Sequence, residues 1–169
     1  MKSLPISVAT SVVVTERSRR TWWRRIADGK VTRLADDARG RAMLSLAEVA
    51  PFICIPLDQE DFNFLALADA GNTDAQNDMG QLFSNAGKPK IALYWLEQAA
   101  SHGHADAMQW LGRCYIEGDG VPRNKNIGLM WIAKAAAHGH VIAQAQIQDS
   151  FRILSANYDG LSPSLQHVR

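Results

Sequence analysis

One stretch of this chain is written twice. IALYWLEQAASHGH (residues 91–104) and IGLMWIAKAAAHGH (residues 127–140) agree at eight of fourteen positions under a shift of 36. The matches are Ile91/Ile127, Leu93/Leu129, Trp95/Trp131, Ala99/Ala135, Ala100/Ala136, His102/His138, Gly103/Gly139 and His104/His140. The segment before each copy also recurs. GNTDAQNDMGQLF, from Gly71, lies over GHADAMQWLGRCY, from Gly103, under a shift of 32, pairing Gly71, Asp74, Ala75 and Gly80 with Gly103, Asp106, Ala107 and Gly112. The same frame continues into GHVIAQAQIQDSF, where Ala143, Ile147 and Phe151 fall into place. The two shifts differ because Gly112 to Trp131 spans 19 positions and Gly80 to Trp95 only 15, so the first unit is four residues shorter between its halves. Length changes of this kind belong in surface loops. A chain with such a period must stack its units, because one unit alone cannot bury its apolar faces.

Each half of a unit reads as a helix. Ala107, Leu111, Cys114 and Tyr115 form an apolar stripe at i, i+4, i+7 and i+8. In the second half, Leu129, Ile132, Ala133 and Ala136 are read the same way. The loop EGDGVPRN (residues 117–124) holds two glycines and a proline, which stop both neighbours, and Asn124 can cap the helix that follows. Pro89 suits the first turn of the helix it opens. Gly80 and Gly112 sit in mid-helix at a cost of about 1 kcal/mol against alanine, which is reasonable only if another helix presses close. Ala99–Ala100 and Ala135–Ala136 are read as the small surfaces opposite them, and Trp95 and Trp131 as core anchors.

The two His-Gly-His runs raise the question of a metal. Gly103 and Gly139 each follow one helical stripe and precede another, where glycine takes the left-handed conformation past a helix end. His102 and His138 fall in a last turn, and His104 and His140 open the next connection. Stacked units place equivalent positions roughly 10 Å apart, whereas zinc ligands converge within ~2.1 Å of one ion. The histidines therefore read as repeat punctuation, and no metal or cofactor is expected.

Residues 105–140 resemble one nearly complete repeat of the Sel-one-like family, a relative of the tetratricopeptide repeats. The family pattern falls on Ala107, Leu111–Gly112, Tyr115, Gly118, Gly120, Val121, Trp131, Ala135–Ala136 and Gly139. Residues 74–104 resemble a shortened repeat, residues 141 to about 154 the first helix of another, and Gly71 the close of an earlier one. The resemblance implies an all-α fold: a right-handed α-solenoid of antiparallel helix pairs that binds other proteins on a concave face. It implies that the first helices line this groove, with Asp74, Asn77, Gln81, Asp106, Gln109, Arg113, Glu117 and Asp149 pointing outward. The disulfide-rich branch of the family does not carry over, because this chain lacks the paired cysteines within each repeat.

The remaining third is less regular. Residues 1–14 are expected as a flexible lead-in, 15–59 as capping helices, 60–154 as the solenoid and 155–169 as a loose tail. TERSRRTWWRRIAD (residues 15–28) carries Arg17, Arg19, Arg20, Arg24 and Arg25, with Trp22, Trp23 and Ile26 assigned to one apolar side. It reads first as an amphipathic cap on the open end of the stack. Its alternative is a regulatory patch for nucleic acid or an acidic partner. Residues 32–49 read as a further helix, APFICIPLD (residues 50–58) as a buried connector, and Asp58 as the cap of a helix ending near Ala70.

Charged residues are only 21% of the chain and the formal net charge is +1, so no global field argues for nucleic acid. The two cysteines, Cys54 and Cys114, fit no metal or disulfide spacing and point to a reducing, cytoplasmic setting. The apolar run at residues 4–14 is too short to span a bilayer. It also lacks a small-residue cleavage site, and SRRTWWR is followed by charge where a twin-arginine signal needs apolar residues. No nucleophile–base pair or phosphate loop stands out. The reading is therefore a non-catalytic interaction scaffold that takes a partner protein rather than a small-molecule substrate. A short stack also offers an end through which two copies can pair.

Overall fold

The computed structural model describes residues 4–159. It is an all-α repeat fold with a small N-terminal sheet, and it divides into two compact units, Met1–His102 and Gly103–Arg169.

In the first unit, β1 (Pro5–Ser7) runs directly into α1 (Val8–Thr15), and α2 (Arg19–Ala27) follows. β2 (Arg33–Leu34) and β3 (Met43–Ser45) complete an antiparallel sheet of order β1-β3-β2, in which Leu44 faces Ile6 on one side and Arg33 on the other. Every residue of the central strand is buried. α3 (Leu46–Val49) and a 3₁₀ turn (Ala50–Phe52) lead to the helices α4 (Gln59–Ala70), α5 (Thr73–Asn85) and α6 (Pro89–Ser101). Asp58 and Asp61 cap α4 reciprocally: Asp58 Oδ1 accepts from the Asp61 amide at 2.9 Å, and Asp61 Oδ2 accepts from the Asp58 amide at 3.0 Å. One apolar core runs from Ile6, Val14, Trp22 and Leu44 through Leu65 to Met79, Phe83 and Trp95.

Two N-terminal expectations are corrected. Residues 5–14 are not a flexible lead-in: they form β1 and most of α1, with Ile6, Ser7, Val8, Thr10, Ser11 and Val14 buried. Residues 32–49 are not one helix; only Leu46–Val49 is helical. Asp37 accepts the amides of Arg39 and Arg41 at 3.0 and 2.8 Å, Gly40 takes φ +72°, and the chain turns back into β3. That strand is stabilised by partners distant in sequence, so no local period announces it.

In the second unit, α7 (Ala105–Glu117) and α8 (Lys125–Ala137) pack as an antiparallel hairpin, and α9 (Val141–Asp159) packs on α8. The helix α9 continues five residues into the stretch expected as a tail; residues 160–169 of that tail lie outside the described residues. Gly118 closes α7 at φ 84°, and the Asn124 side chain caps α8 by accepting from the Ile127 amide at 3.1 Å. The hairpin crosses at two glycines. A methyl on Gly112 would lie 2.7 Å from Ile132 Cγ1 and 2.9 Å from the Gly128 carbonyl oxygen. One on Gly128 would lie 2.5 Å from Ile116 Cγ1 and 2.7 Å from the Gly112 carbonyl oxygen.

This crossing corrects the reading of the second helices. The small residue opposite Gly112 is Gly128, and that opposite Gly80 is Ala92, not the alanine pairs. The buried residues of α8 are Gly128, Ile132 and Ala135, while Leu129 is 50% exposed. This helix is apolar nearly all round, so its composition does not choose a face; the close approach at Gly128 does. Trp95 is a core anchor, but Trp131 is half-buried, with Lys134 Nζ 4.4 Å from its ring centroid.

Candidate protein-interaction surface

The repeat register places one outward row on each first helix. On α7 the row is Asp106, Trp110, Arg113 and Glu117, at i, i+4, i+7 and i+11 along one face. Shifted by 32 it falls on Asp74, Asp78, Gln81 and Asn85 of α5, and shifted by 36 on Ile142, Gln146, Asp149 and Ile153 of α9. On α7, Asp106, Arg113 and Glu117 are exposed and Trp110 is half-buried. Arg113 lies 4.7 Å above the Trp110 ring centroid and 3.6 Å from Glu117. On α5, Asp74 and Asp78 are exposed and Gln81 is half-buried. On α9, Ile142 and Ile153 are 63% and 60% exposed, and Asp149 stands 3.7 Å from Arg152.

Two residues assigned to the groove are not on these rows. Asn77 and Gln109 are 5% and 7% exposed. They lie one position before the row, about 100° around the helix, and that step turns them inward. Gln109 donates through Nε2 to Gln146 Oε1 at 3.0 Å, a rung between α7 and α9. The Oδ1 of Asn77 and the Oε1 of Gln109 have no hydrogen-bond partner among the described residues. Asp78, Trp110, Ile142 and Ile153 also fall on these rows, and shifting Arg113 and its neighbours along the repeat frame locates all four.

The histidines make caps. His102 and His138 hydrogen-bond through Nδ1 to the carbonyls four residues back, Gln98 at 2.8 Å and Lys134 at 2.9 Å, so their Nδ1 carries the proton. Gly103 and Gly139 then turn the chain at φ 90° and 89°. His104 and His140 open the next helices, their Nδ1 accepting from the amides of Ala107 at 3.2 Å and Ala143 at 3.1 Å. That lone pair requires the proton on Nε2, and the Nε2 of His140 lies 3.4 Å from Asp106. Asn72 performs the same task for α5 at 2.8 Å. Among the described residues no group of three or more His, Cys, Asp or Glu side chains could hold a metal ion.

The N-terminal arginines divide into two sets. Arg17 and Arg25 lie 4.8 and 4.2 Å over the ring of Phe52, which also meets Trp22 edge-on at 5.9 Å. Trp22 is fully buried, whereas Trp23 is 41% exposed and shares the outer face of α2 with Arg19, Arg20 and Arg24. The expected common side for both tryptophans is therefore corrected: neighbours in sequence stand about 100° apart on a helix.

A buried polar clasp was missed as well. Asp69 accepts from the Ser7 amide at 2.8 Å, the Ser7 hydroxyl at 2.7 Å, the Thr10 hydroxyl at 2.6 Å and Arg41 Nη1 at 3.0 Å. Arg41 also reaches Asp37 at 2.7 Å. The Arg41 amide, donated to the Asp37 carboxylate, holds that acid below its usual range. The clasp ties β1 and α1 to α4, a purpose no spacing in the sequence reveals. Burial raises both thiols: Cys54 upward and Cys114 to about 11.

These hairpins, repeated with a common register and capped alike, define a helical-hairpin repeat protein. Residues 73–104 and 105–140 both match the Sel1 repeat, so the chain carries two Sel1-like repeats. Among curated proteins, chitin synthase regulatory factor 4 of Schizosaccharomyces pombe is 42% identical over 60 residues, covering 34% of this chain and 9% of that protein. A crystal structure of a Sel1 repeat protein from Oxalobacter formigenes is similar over 84% of this chain and 90% of that one, at 24% identity and TM-score 0.49. Sel1 repeats generally mediate protein–protein interaction and are typically not enzymes. No helix among the described residues is long and apolar enough to cross a membrane.

Proposed function

We propose that this protein is a non-catalytic adaptor of the cytoplasm, and that the outward row of its repeats holds a partner protein. The observation that carries this reading is the α7–α9 surface. Trp110 stacks with Arg113, and Ile142 and Ile153 stand 63% and 60% exposed on the same outward row. Exposed apolar side chains rimmed by charge mark interaction sites, and tryptophan and arginine dominate binding energy where they meet a partner. On α5 the same row is acidic, with Asp74 and Asp78 exposed, so the repeats differ in the chemistry that they present.

Affinity capture with the wild type beside a Trp110→Ala/Arg113→Glu variant tests the assignment, with circular dichroism to confirm that the variant is folded. The variant should lose the partner that the wild type recovers. Identical recovery by both proteins would remove the row from the interface.

A further inference from the structure

The first unit carries a second surface of a different kind. Among the described residues, none of Arg17, Arg19, Arg20, Arg24 and Arg25 has a carboxylate within ion-pair distance. Nearby cations are paired: Lys30 with Asp28, Arg33 with Asp36 and Lys88 with Glu16. Arg17 and Arg25 are occupied against Phe52. Arg19, Arg20 and Arg24 are exposed and share a helix face with the exposed Trp23, whose ring has Arg33 at 5.8 Å. Beside it opens a cleft of 280 Å³ lined by Val8, Ala9, Ala42 and Trp23 together with Arg19 and Arg41. Unpaired positive charge next to a partly aliphatic cleft asks for a ligand with both negative charge and an apolar group.

We propose that this face holds a short acidic segment of a partner protein, with one bulky aliphatic side chain in the cleft beside Trp23 and flanking carboxylates on Arg19, Arg20 and Arg24. Charge complementarity selects an acidic occupant, and the aliphatic lining selects a peptide over a nucleic acid. From Arg19 to Arg24 the helix advances only about 8 Å, whereas single-strand sites track a backbone of roughly 4 to 16 nucleotides. Glu16, Asp28, Asp36 and Asp37 flank the patch in sequence and limit its extent. The site is independent of the α7–α9 surface.

The test uses the full chain and a fluorescein-labelled synthetic peptide, a leucine flanked on each side by three glutamates, followed by fluorescence anisotropy. A second peptide replaces the leucine with serine, and a labelled oligo-dT replaces the peptide altogether. The leucine peptide should bind, the serine peptide at least ~10-fold more weakly, because burying one such side chain is worth about 1.4 kcal/mol or more. Arg20→Glu/Arg24→Glu should weaken binding at least ~10-fold, and Trp23→Ala should weaken it ~5-fold. Arg113→Glu, on the other surface, should change nothing, which separates this site from the α7–α9 row. The proposal is overturned if the leucine peptide does not bind, if the folded double variant binds it as well as the wild type, if the two peptides bind alike, or if oligo-dT binds more tightly.

Discussion

Alanine at the α7–α8 crossing should destabilise the protein even though it is the better helix former. In an unconstrained helix, glycine to alanine gains about 1 kcal/mol. At Gly112 the new methyl would stand 2.9 Å from the Gly128 carbonyl oxygen, which is 0.5 Å inside the 3.4 Å of ordinary contact. At Gly128 the corresponding approach to the Gly112 carbonyl is 2.7 Å, 0.7 Å too close. Neither obstacle is a flexible side-chain tip, so relief requires the two helices to separate, and overpacking of this kind costs about 1–3 kcal/mol. Gly112→Ala should therefore be less stable by up to about 2 kcal/mol net, and Gly128→Ala by somewhat more. The double variant should cost less than the sum, since one separation serves both methyls. Gly80 provides the contrast. Its methyl would meet the buried Leu96 at Cγ and Cδ2 at 2.7 Å, but the Ala92 carbonyl only at 3.4 Å, so a side chain must repack while the backbones keep their distance, and Gly80→Ala should cost less than Gly128→Ala. Urea unfolding followed by circular dichroism measures all four. A Gly112→Ala protein more stable than the wild type by the ~1 kcal/mol of an unconstrained helix would refute the close crossing.

Asp69→Ala should cost about 3 kcal/mol by stranding the buried donors of Ser7 and Thr10 and one partner of Arg41; thermal melts should drop by about 10 °C, with Asp69→Asn milder because its amide oxygen still accepts. His140→Ala should lose about 1 kcal/mol of cap energy, and His140→Asn should recover most of it, since Asn72 and Asn124 make the same bond; equal loss in both would show that the cap does not matter. The Cys114 thiol, pushed up to about 11 by burial, should stay protonated at neutral pH and react with iodoacetamide far more slowly in folded than in urea-unfolded protein. Because the folded thiol titrates above its unfolded value of 9.0, stability should fall between pH 9 and about 11, and Cys114→Ala should abolish that component of the alkaline loss.

The helical repeat was legible because its determinants lie close together along the chain. An apolar period, a glycine past a helix end and an Asn or His one residue later each act within a single turn, so Gly71–Asn72, Gly103–His104 and Gly139–His140 mark the hairpins without tertiary help. The expectation that Gly80 and Gly112 mark close crossings rested on equally local reasoning. Local rules did not reveal which neighbour each would meet, and Gly128 went unnoticed because α8 has no polar face to orient it.

What only the tertiary structure decided depends on contacts across long separations. Ser7 and Asp69 are 62 positions apart, and their hydrogen bonds convert an apparently loose lead-in into buried structure. β3 is held by β1 and β2 rather than by any preference of its own residues. A step of 100° separates the half-buried Trp110 and the exposed Trp23 from the buried Gln109 and Trp22, and composition does not say which side of that step faces water. The sequence alone thus established that this chain is built of capped, repeated helix pairs, since those signals operate over a few residues. Which side chains remain free to meet another molecule was decided by packing, because exposure belongs to the assembled fold and not to any residue in it.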